Sequence, residues 1–271
     1  MEISALALHI LDSQSLDDKL CRPPRELSDD DPGPGRFVQR PARPPELAIP
    51  TGPGPKVPPV DGMHDIDQRV RILHALANHE FQAVELFAWA VLAFPDTPTE
   101  FRRGLVGILQ DEQRHTKMYL ARLRELGANF GDYPVNGYFW SKVESVKSPV
   151  EFICMMSLTF ENANLDHTVE YASAARGVGD NLTAALIEKI HDDEITHVQF
   201  GWHWLGKFKD RKQNMSEAYR SNVHWPLRPA LARGRDFQVE GRREAGLDEE
   251  FIELLRSSKV DSEALRKGST E

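Results

Sequence analysis

The sequence Asp-Glu-x-x-His occurs twice in the chain, as DEQRH at residues 111–115 and as DEITH at residues 193–197. Within each copy the glutamate and the histidine are three residues apart, so on a helix their side chains lie on one face, about one turn apart. Both groups can then bind the same metal ion. Two copies predict two helices of one domain, each of which supplies a glutamate and a histidine to a shared dimetal site.

Apolar residues at helical spacing surround the glutamate of each motif. They are Leu105, Ile108, Leu109 and Tyr119 around Glu112, and Ile187, Ile190, Val198 and Leu205 around Glu194. Both carboxylates are therefore predicted to be buried, where they need an ion pair, a proton or a metal ion. A core ion pair is the ordinary explanation of a single motif, whereas duplication of the motif favours a metal.

Two further glutamates lie among apolar residues elsewhere in the chain, Glu80 in NHEFQAVEL and Glu161 in LTFENANLD. Glu80 precedes Glu112 by 32 residues and Glu161 precedes Glu194 by 33, so two antiparallel hairpins can bring all four carboxylates to the same level. The residues predicted to bind two metal ions, and to act in catalysis through them, are Glu80, Glu112, His115, Glu161, Glu194 and His197.

Glu85 competes with Glu80 for the role of ligand on the first helix. A separation of five residues turns a helix by roughly 140°, so the two carboxylates cannot both point at one metal. Asp166 stands at the same offset from Glu161. A ligand set with Glu85 and Asp166 in place of Glu80 and Glu161 would therefore relate the two hairpins equally well. Pairing Glu85 with Glu161 would give unequal separations of 27 and 33 residues, and the prediction therefore favours Glu80.

Asp111 and Asp193 immediately precede the two motif glutamates. Metal-bound imidazoles usually donate their second N–H to a carboxylate, a carbonyl or water. Each aspartate is therefore predicted to bond the histidine of the opposite motif, with a solvated acid as the alternative. His191, one turn before Glu194, is also assigned to the surroundings of the metals, although a structural histidine that binds no metal is the other interpretation.

Long helices must position these residues. From residue 65 the chain shows helical periodicity that is interrupted at PDTP, by the Gly-rich and aromatic stretch ANFGDYPVNGYFWSKVESVKS, and at GVGD. Residues 65–210 are thereby predicted to form four long helices in two hairpins joined by one long crossover. The predicted fold is all-α, a four-helix bundle of the ferritin type.

Three further segments flank the predicted bundle. Residues 1–20 are expected to form a short helix, and residues 211–271 a helical extension. Residues 21–64 form a Pro-rich arm, since residues 22–60 hold twelve of the eighteen prolines. The arm is either a disordered tail or a strap across the bundle, and apolar residues such as Phe37 and Leu47 favour the strap.

The composition narrows the class of protein. A net charge of −9 argues against general binding of nucleic acids or of anionic membranes. Only two cysteines occur, Cys21 and Cys154, and they are expected to be free thiols in a reducing compartment. The sequence contains neither a signal peptide nor a run of about 20 apolar residues, so the expected location is the cytoplasm.

At the motif residues the chain resembles the ferritin-like di-iron superfamily. More closely, HALANHEFQAVELFAW, DEQRH, FENANLD and DDEITHVQFGWHW are similar to a bacterial ferritin-like family of unknown function, which is itself loosely similar to a tRNA-modifying di-iron hydroxylase. The resemblance covers residues 65–260 and includes all six ligand positions. It implies the fold and two iron ions bound by the six residues, and it names no substrate.

The ligand set and the resemblance predict a protein that activates O2 to oxidise or hydroxylate an organic substrate. Four carboxylates and two imidazoles offset the charge of two Fe(II) ions, and hard oxygen ligands stabilise Fe(III). Manganese or a mixed iron–manganese pair fits the same ligands. The expected partners are O2, an unidentified small molecule and a separate electron donor.

The segments outside the predicted bundle are extensive enough to cover a substrate pocket. They are the crossover GDYPVNGYFW, the Pro-rich arm and the stretch HWPLRPALARGRDF. In the last of these and the residues that follow it, candidates for binding an anionic or phosphorylated substrate are Arg228, Arg233, Arg235, Arg242 and Arg243. Solvation of these arginines, or pairing with nearby acids, is the alternative.

Two other functions use the same metals. A ferroxidase or iron-storage subunit is one, although a cage-forming ferritin needs little beyond the bundle and nearly half of this chain lies outside it. A peroxide-reducing enzyme of the rubrerythrin type is the other. Such an enzyme would normally carry an iron site with four cysteine ligands, which the two cysteines of this chain cannot form. A homodimer is compatible with each function, and the net negative charge argues against a nucleic-acid partner despite the likeness to the tRNA hydroxylase.

Overall fold

The structure is a computed structural model that describes residues 1–52 and 54–258. The regular structure of these residues is helical, apart from an isolated bridge between Glu2 and Ser28. The predicted all-α class is therefore confirmed. Residues 259–271 of the predicted C-terminal extension lie outside the described residues.

The α-helices are α1 (Ile3–Asp12), α2 (Leu16–Lys19), α3 (Ile66–Ala93), α4 (Thr99–Glu125), α5 (Trp140–Val143), α6 (Pro149–Met155), α7 (Glu161–Gly177), α8 (Asn181–Phe208), α9 (Met215–Asn222), α10 (Val239–Glu244) and α11 (Glu249–Ser257). A π-helical turn, Met156–Phe160, joins α6 to α7, and short 3-10 helices cover Pro45–Leu47, Val60–His64 and Pro229–Ala232. None of the described helices is both long enough and apolar enough to cross a membrane.

The longest helices pack as two hairpins. α3 lies along α4, α7 lies along α8, and the hairpins contact each other through α4 and α8. Pro95 and Pro98 flank the short connection between α3 and α4, because proline cannot continue the first helix but is tolerated where the second begins. Residues 126–148, which include α5, form the crossover between the hairpins.

Local chemistry sets where the helices begin. The Asp65 side chain accepts the N–H of Gln68 and starts α3, and Asp180 accepts the N–H of Thr183 and starts α8. Ser148 starts α6 as part of a capping box with Glu151. These caps fix the ends of three of the helices that carry or support the predicted metal ligands.

The π turn is a departure from the predicted uninterrupted third helix. Thr159 Oγ1 donates to Cys154 O, five residues earlier, at 2.7 Å, and it lies 2.8 Å from the hydroxyl of Tyr219. A π turn adds one residue to the helical turn and rotates the side chains that follow it. Because this turn ends directly before Glu161, it sets the direction of that carboxylate.

The Pro-rich arm lies across α3. The Arg36 N–H donates to Leu92 O at 2.9 Å, and the indole N–H of Trp89 donates to Val38 O at 3.0 Å. Leu47 is fully buried. In the described residues the arm is thus a strap that packs on the bundle.

Two buried ion pairs attach the appended segments to equivalent positions of the two hairpins. Arg43 of the arm bonds Glu85 on α3 at 2.6 Å, and Arg242 of α10 bonds Asp166 on α7 at 2.6 Å. Glu85 and Asp166 each stand five residues after a predicted ligand glutamate. The N-terminal and C-terminal segments therefore dock on the hairpins with the same pseudo-twofold relation as the motifs.

Candidate metal centre

Six buried side chains from four helices meet inside the bundle, and they form two groups of potential ligands. The first group is Glu80, Glu112, His115 and Glu194, and the second is Glu112, Glu161, Glu194 and His197. Within each group, one ligand atom per residue lies within 4.8 Å of the others. Because Glu112 and Glu194 belong to both groups, they lie between two adjacent positions that could each hold a metal ion.

The two histidines present the same ring nitrogen to the carboxylates. His115 Nδ1 lies 3.4 Å from Glu80 and 3.6 Å from Glu112. His197 Nδ1 lies 3.1 Å from Glu112 and 3.6 Å from Glu194. The Nδ1 atoms are thus the ligand atoms available to a metal, and each Nε2 is left for a bond outside the cluster.

Each Nε2 faces an aspartate of the other hairpin. His115 Nε2 lies 3.2 Å from Asp193, and His197 Nε2 lies 3.4 Å from Asp111. Arg114 joins the two aspartates, since its guanidinium bonds Asp111 at 2.6 Å and Asp193 at 2.7 Å. This arrangement orients both imidazole rings so that a metal bound at Nδ1 would leave the N–H at Nε2 to donate to an aspartate.

Several polar atoms at the centre of the cluster lack a hydrogen-bond partner among the described residues. They are both carboxylate oxygens of Glu112, Oε2 of Glu194, and Nδ1 of His115 and of His197. Burying such atoms without partners costs about 1–3 kcal/mol each, more when they are charged. All five belong to predicted ligands, so the cluster fits a bound metal better than a set of internal hydrogen bonds.

Burial alters the protonation of these groups. Burial, reinforced by the charge of Glu112, raises the pKa of Glu80 well above its usual value, and burial does the same for Glu194. Burial also acts to raise the pKa of Glu112, but the proximity of the His115 and His197 imidazoles outweighs it and lowers that pKa. Without a metal, the cluster therefore holds protons that a metal would replace.

The surroundings of Glu85 decide which of Glu80 and Glu85 can be the α3 ligand. Glu85 is fully buried, and its carboxylate bonds Lys19 at 3.1 Å, Arg43 at 2.6 Å and the indole N–H of Trp140 at 2.9 Å. Two cations and a donor already satisfy it, and it belongs to neither ligand group. Glu80 is the α3 carboxylate that faces the other ligands.

His191 lies outside both ligand groups. Its Nδ1 is 2.7 Å from the hydroxyl of Thr168, and burial lowers the pKa of the ring. The structure therefore gives it the hydrogen bond of a structural histidine rather than a place among the potential metal ligands.

The five arginines proposed for substrate binding make other contacts in the structure. Arg242 pairs with Asp166 at 2.6 Å, and Arg243 pairs with Glu249 at 2.7 Å. Arg228 lies over the ring of Trp225, with 5.7 Å to the centroid. Arg233 lies over the ring of Phe237, with 5.1 Å to the centroid, and Arg235 pairs with Glu170 at 3.0 Å. None of them belongs to the carboxylate–histidine cluster, and their role in substrate binding stays a prediction.

Three residues near the centre were not assigned a role from the sequence. Arg114 is the link between the aspartates, and the amide of Asn164 donates to Glu194 Oε1 at 3.3 Å. Tyr119, two turns after Glu112, is 1% exposed, and burial, with nearby carboxylates, raises its pKa well above the usual value. The available signal was spacing, because Asn164 follows Glu161 by three residues, as each motif histidine follows its glutamate.

A protein-family model described as "Protein of unknown function (DUF455)" matches residues 7–253 of the chain. No curated protein and no solved structure matches it. The match spans the arm, the bundle and most of the C-terminal helices that the structure describes.

Proposed function

The chain belongs to the DUF455 family of proteins of unknown function, and from its buried ligand cluster we propose a ferritin-like dimetal protein that activates O2 to oxidise or hydroxylate an organic substrate. The metals proposed are two iron ions, with manganese as a substitute at either position. The two-hairpin arrangement of α3, α4, α7 and α8 around the cluster supports the ferritin-like assignment.

The observation that carries the proposal is the sharing of Glu112 and Glu194 by the two ligand groups. A carboxylate with two oxygens can bind two neighbouring ions, so this sharing fits a pair of metals better than one. Four carboxylates with two neutral imidazoles balance the charge of two divalent ions, and oxygen and imidazole ligands suit iron and manganese. Two ferrous ions bound there would supply electrons for the reduction of O2.

The chain's own residues would prepare the centre for that chemistry. Asp193 and Asp111 orient the imidazoles through Nε2, and Arg114 holds the two aspartates. Asn164 orients Glu194 through its bond to Oε1. Removing a hydrogen bond that orients a metal ligand typically lowers metal affinity or activity by about 10–100-fold.

The proposal is tested by loading metal-free protein with Fe(II) without oxygen, counting bound iron, and recording the optical spectrum on mixing with O2. Two irons per chain and an oxygen-dependent ferric absorption band are expected. Glu194→Gln should lose most of the bound iron, whereas Glu188→Gln, an exposed position on the same helix, should keep it. A folded protein that binds neither iron nor manganese would refute the dimetal assignment.

The same experiment separates the proposed oxidase from the iron-handling alternative. An O2-activating centre stops at two irons per chain and reoxidises only when electrons are resupplied. A ferroxidase with storage would instead accumulate iron well beyond two per chain as a ferric mineral. The second result would replace the proposed function while leaving the dimetal site in place.

A further inference from the structure

A cavity of about 1290 Å³ lies between the Pro-rich arm, α3 and the crossover. Its floor is apolar and buried, and it includes Trp89, Trp140, Val143 and Val146. The C-terminal segment does not contribute to its described lining, so the cover predicted for a pocket is supplied by the arm and the crossover alone. Binding sites for small organic molecules typically enclose about 300–1,000 Å³, so this cavity is large enough for one.

The walls of the cavity are held in place before any ligand arrives. Trp89 is fixed by its bond to Val38 O, and Trp140 by its bond to Glu85 at 2.9 Å. Both indole N–H groups are therefore used, and the two indoles form part of a closed apolar floor. Fixed walls lower the entropy lost on binding.

The arm and the crossover meet so closely above the cavity that glycine is needed at two contacts. A Cβ on Gly54 would lie 2.5 Å from Asn136 Cβ, and a Cβ on Gly137 would lie 2.3 Å from Ile49 Cγ2. The Asn136 amide also donates to Pro55 O at 3.4 Å. The cover is thus a packed contact between two segments.

The rim of the cavity is cationic although the whole chain carries a net charge of −9. Arg40, Lys56 and Lys147 line the cavity and are exposed, and Glu144 is the acidic residue among the described lining. None of the three cations forms an ion pair with an acid in the part of the chain that the structure describes. Their charge is available to a ligand, and an apolar floor beneath a cationic rim suits a molecule with an apolar body and an anionic group.

The cavity adjoins the dimetal cluster through a short aromatic wall. His79, which precedes the predicted ligand Glu80, lines the cavity and packs against Phe139, with 5.1 Å between ring centroids. Phe139 stacks in turn on Phe160, at 4.5 Å, and Phe160 precedes the ligand Glu161. A chain of ring contacts, His79 to Phe139 to Phe160, therefore connects the cavity lining with the residues next to Glu80 and Glu161.

We propose that this cavity is a binding site for an organic anion with an apolar body, held with its anionic group at Arg40, Lys56 and Lys147 and its body against Trp89 and Trp140. The binding itself follows from the cavity. The further identification of this anion as the substrate of the metal centre rests on the proposed function.

The test uses the metal-free full-length chain and two fluorescent probes that differ by one charged group, 8-anilinonaphthalene-1-sulfonate and its uncharged analogue N-phenyl-1-naphthylamine. Saturable binding of the sulfonate, one per chain and tighter than that of the neutral analogue, is expected. Lys56→Met with Lys147→Met should weaken sulfonate binding about three- to tenfold and leave the neutral probe unaffected, because exposed charge pairs contribute modestly. Lys117→Met, at an exposed position outside the cavity, should change neither.

A second pair of variants locates the bound probe. Ser141 lines the cavity, whereas Ser145, one turn further on, does not, and each serine hydroxyl donates to a carbonyl three residues earlier. Ser141→Trp should block both probes and Ser145→Trp neither, with circular dichroism and the melting temperature used to verify folding. Sulfonate affinity that is unchanged in Ser141→Trp or in the double lysine variant would overturn the proposal.

Iron stoichiometry keeps this result separate from that of the proposed function. The lysine and tryptophan variants should still bind two irons per chain, because they leave all six ligands unchanged. Probe binding by a protein that takes up no metal would preserve the anion site and remove its identification as a substrate site. Two bound irons without saturable probe binding would preserve the dimetal site and remove the anion site.

Discussion

His115 Nε2 lies 3.2 Å from Asp193 Oδ2, although the histidine is on α4 and the aspartate on α8. His197 and Asp111 repeat this contact in the opposite sense at 3.4 Å. Each motif therefore supplies two candidate ligands to the cluster and one orienting carboxylate to the other motif. This exchange explains why the residue before each glutamate is an acid, because each half of the site orients the imidazole of the other half.

Asp193→Asn should lower metal affinity about 10–100-fold without unfolding the protein, because it removes the charge that raises the basicity of His115 and one carboxylate that anchors Arg114. Affinity for Mn(II) or Fe(II) can be measured by competition with a chromophoric chelator. Asp192→Asn is the matched control at the preceding exposed position and should have no effect. Equal affinities in the two variants would show that the contact does not act on the metal.

Glu194→Leu should stabilise the metal-free protein by about 1–2 kcal/mol, because it removes a fully buried carboxylate. The same variant should no longer be stabilised by added metal, since one shared ligand is missing. Urea denaturation with and without Mn(II) measures both effects, and Glu188→Leu serves as the exposed control. A less stable metal-free variant would mean that the carboxylate contributes to packing rather than to a metal site.

Metal affinity should increase with pH. Burial raises the pKa of Glu80 and of Glu194, and bonds to neighbouring carboxylates raise the pKa of His115 and of His197 against the opposing effect of burial. These groups hold protons in the metal-free protein and must lose them to bind a metal, so each metal bound releases protons. Calorimetric titration in buffers of different ionisation enthalpy counts the protons. A pH-independent affinity with no proton release would contradict the protonation assigned to the cluster.

Arg242→Met should destabilise the protein by about 3–5 kcal/mol, because it leaves the carboxylate of Asp166 buried without its cation. Arg242→Met combined with Asp166→Leu should recover most of the loss, since neither charge then remains unpaired. Arg243→Met, on the same helix but at an exposed position, is the control and should change stability little. Chemical denaturation monitored by tryptophan fluorescence provides the comparison, and failure of the double variant to recover would show that the pair has another role.

Gly201→Ala should destabilise the protein, and Gly107→Ala should stabilise it. A Cβ on Gly201 would lie 2.3 Å from Ser157 Cβ in the π turn, whereas a Cβ on Gly107 has no described atom within 4 Å. Alanine is favoured over glycine in a helix by about 0.5–1 kcal/mol, which is the gain expected at the open position. Melting temperatures of the two variants test the prediction, and a shift of the same sign in both would show that the contact with the π turn is not close.

The sequence by itself was sufficient to indicate the helical class and the six clustered residues. Helical periodicity is local, so the spacing of Glu112 and His115, and of Glu194 and His197, already places each pair on one face of a helix. The nearly equal separations along the two hairpins then bring the four carboxylates to one level. No long-range contact has to be known for this step.

Only the tertiary structure decided which of two buried α3 carboxylates faces the other ligands. Glu80 and Glu85 both lie on a buried helix, but Lys19 and Arg43 reach Glu85 from segments 66 and 42 residues away in the chain. The cavity depends in the same way on the contact between the arm and the crossover, for example Gly54 with Asn136. Such contacts join distant segments through charge and shape, and helical periodicity, which reports only neighbours along one helix, contains no information about them.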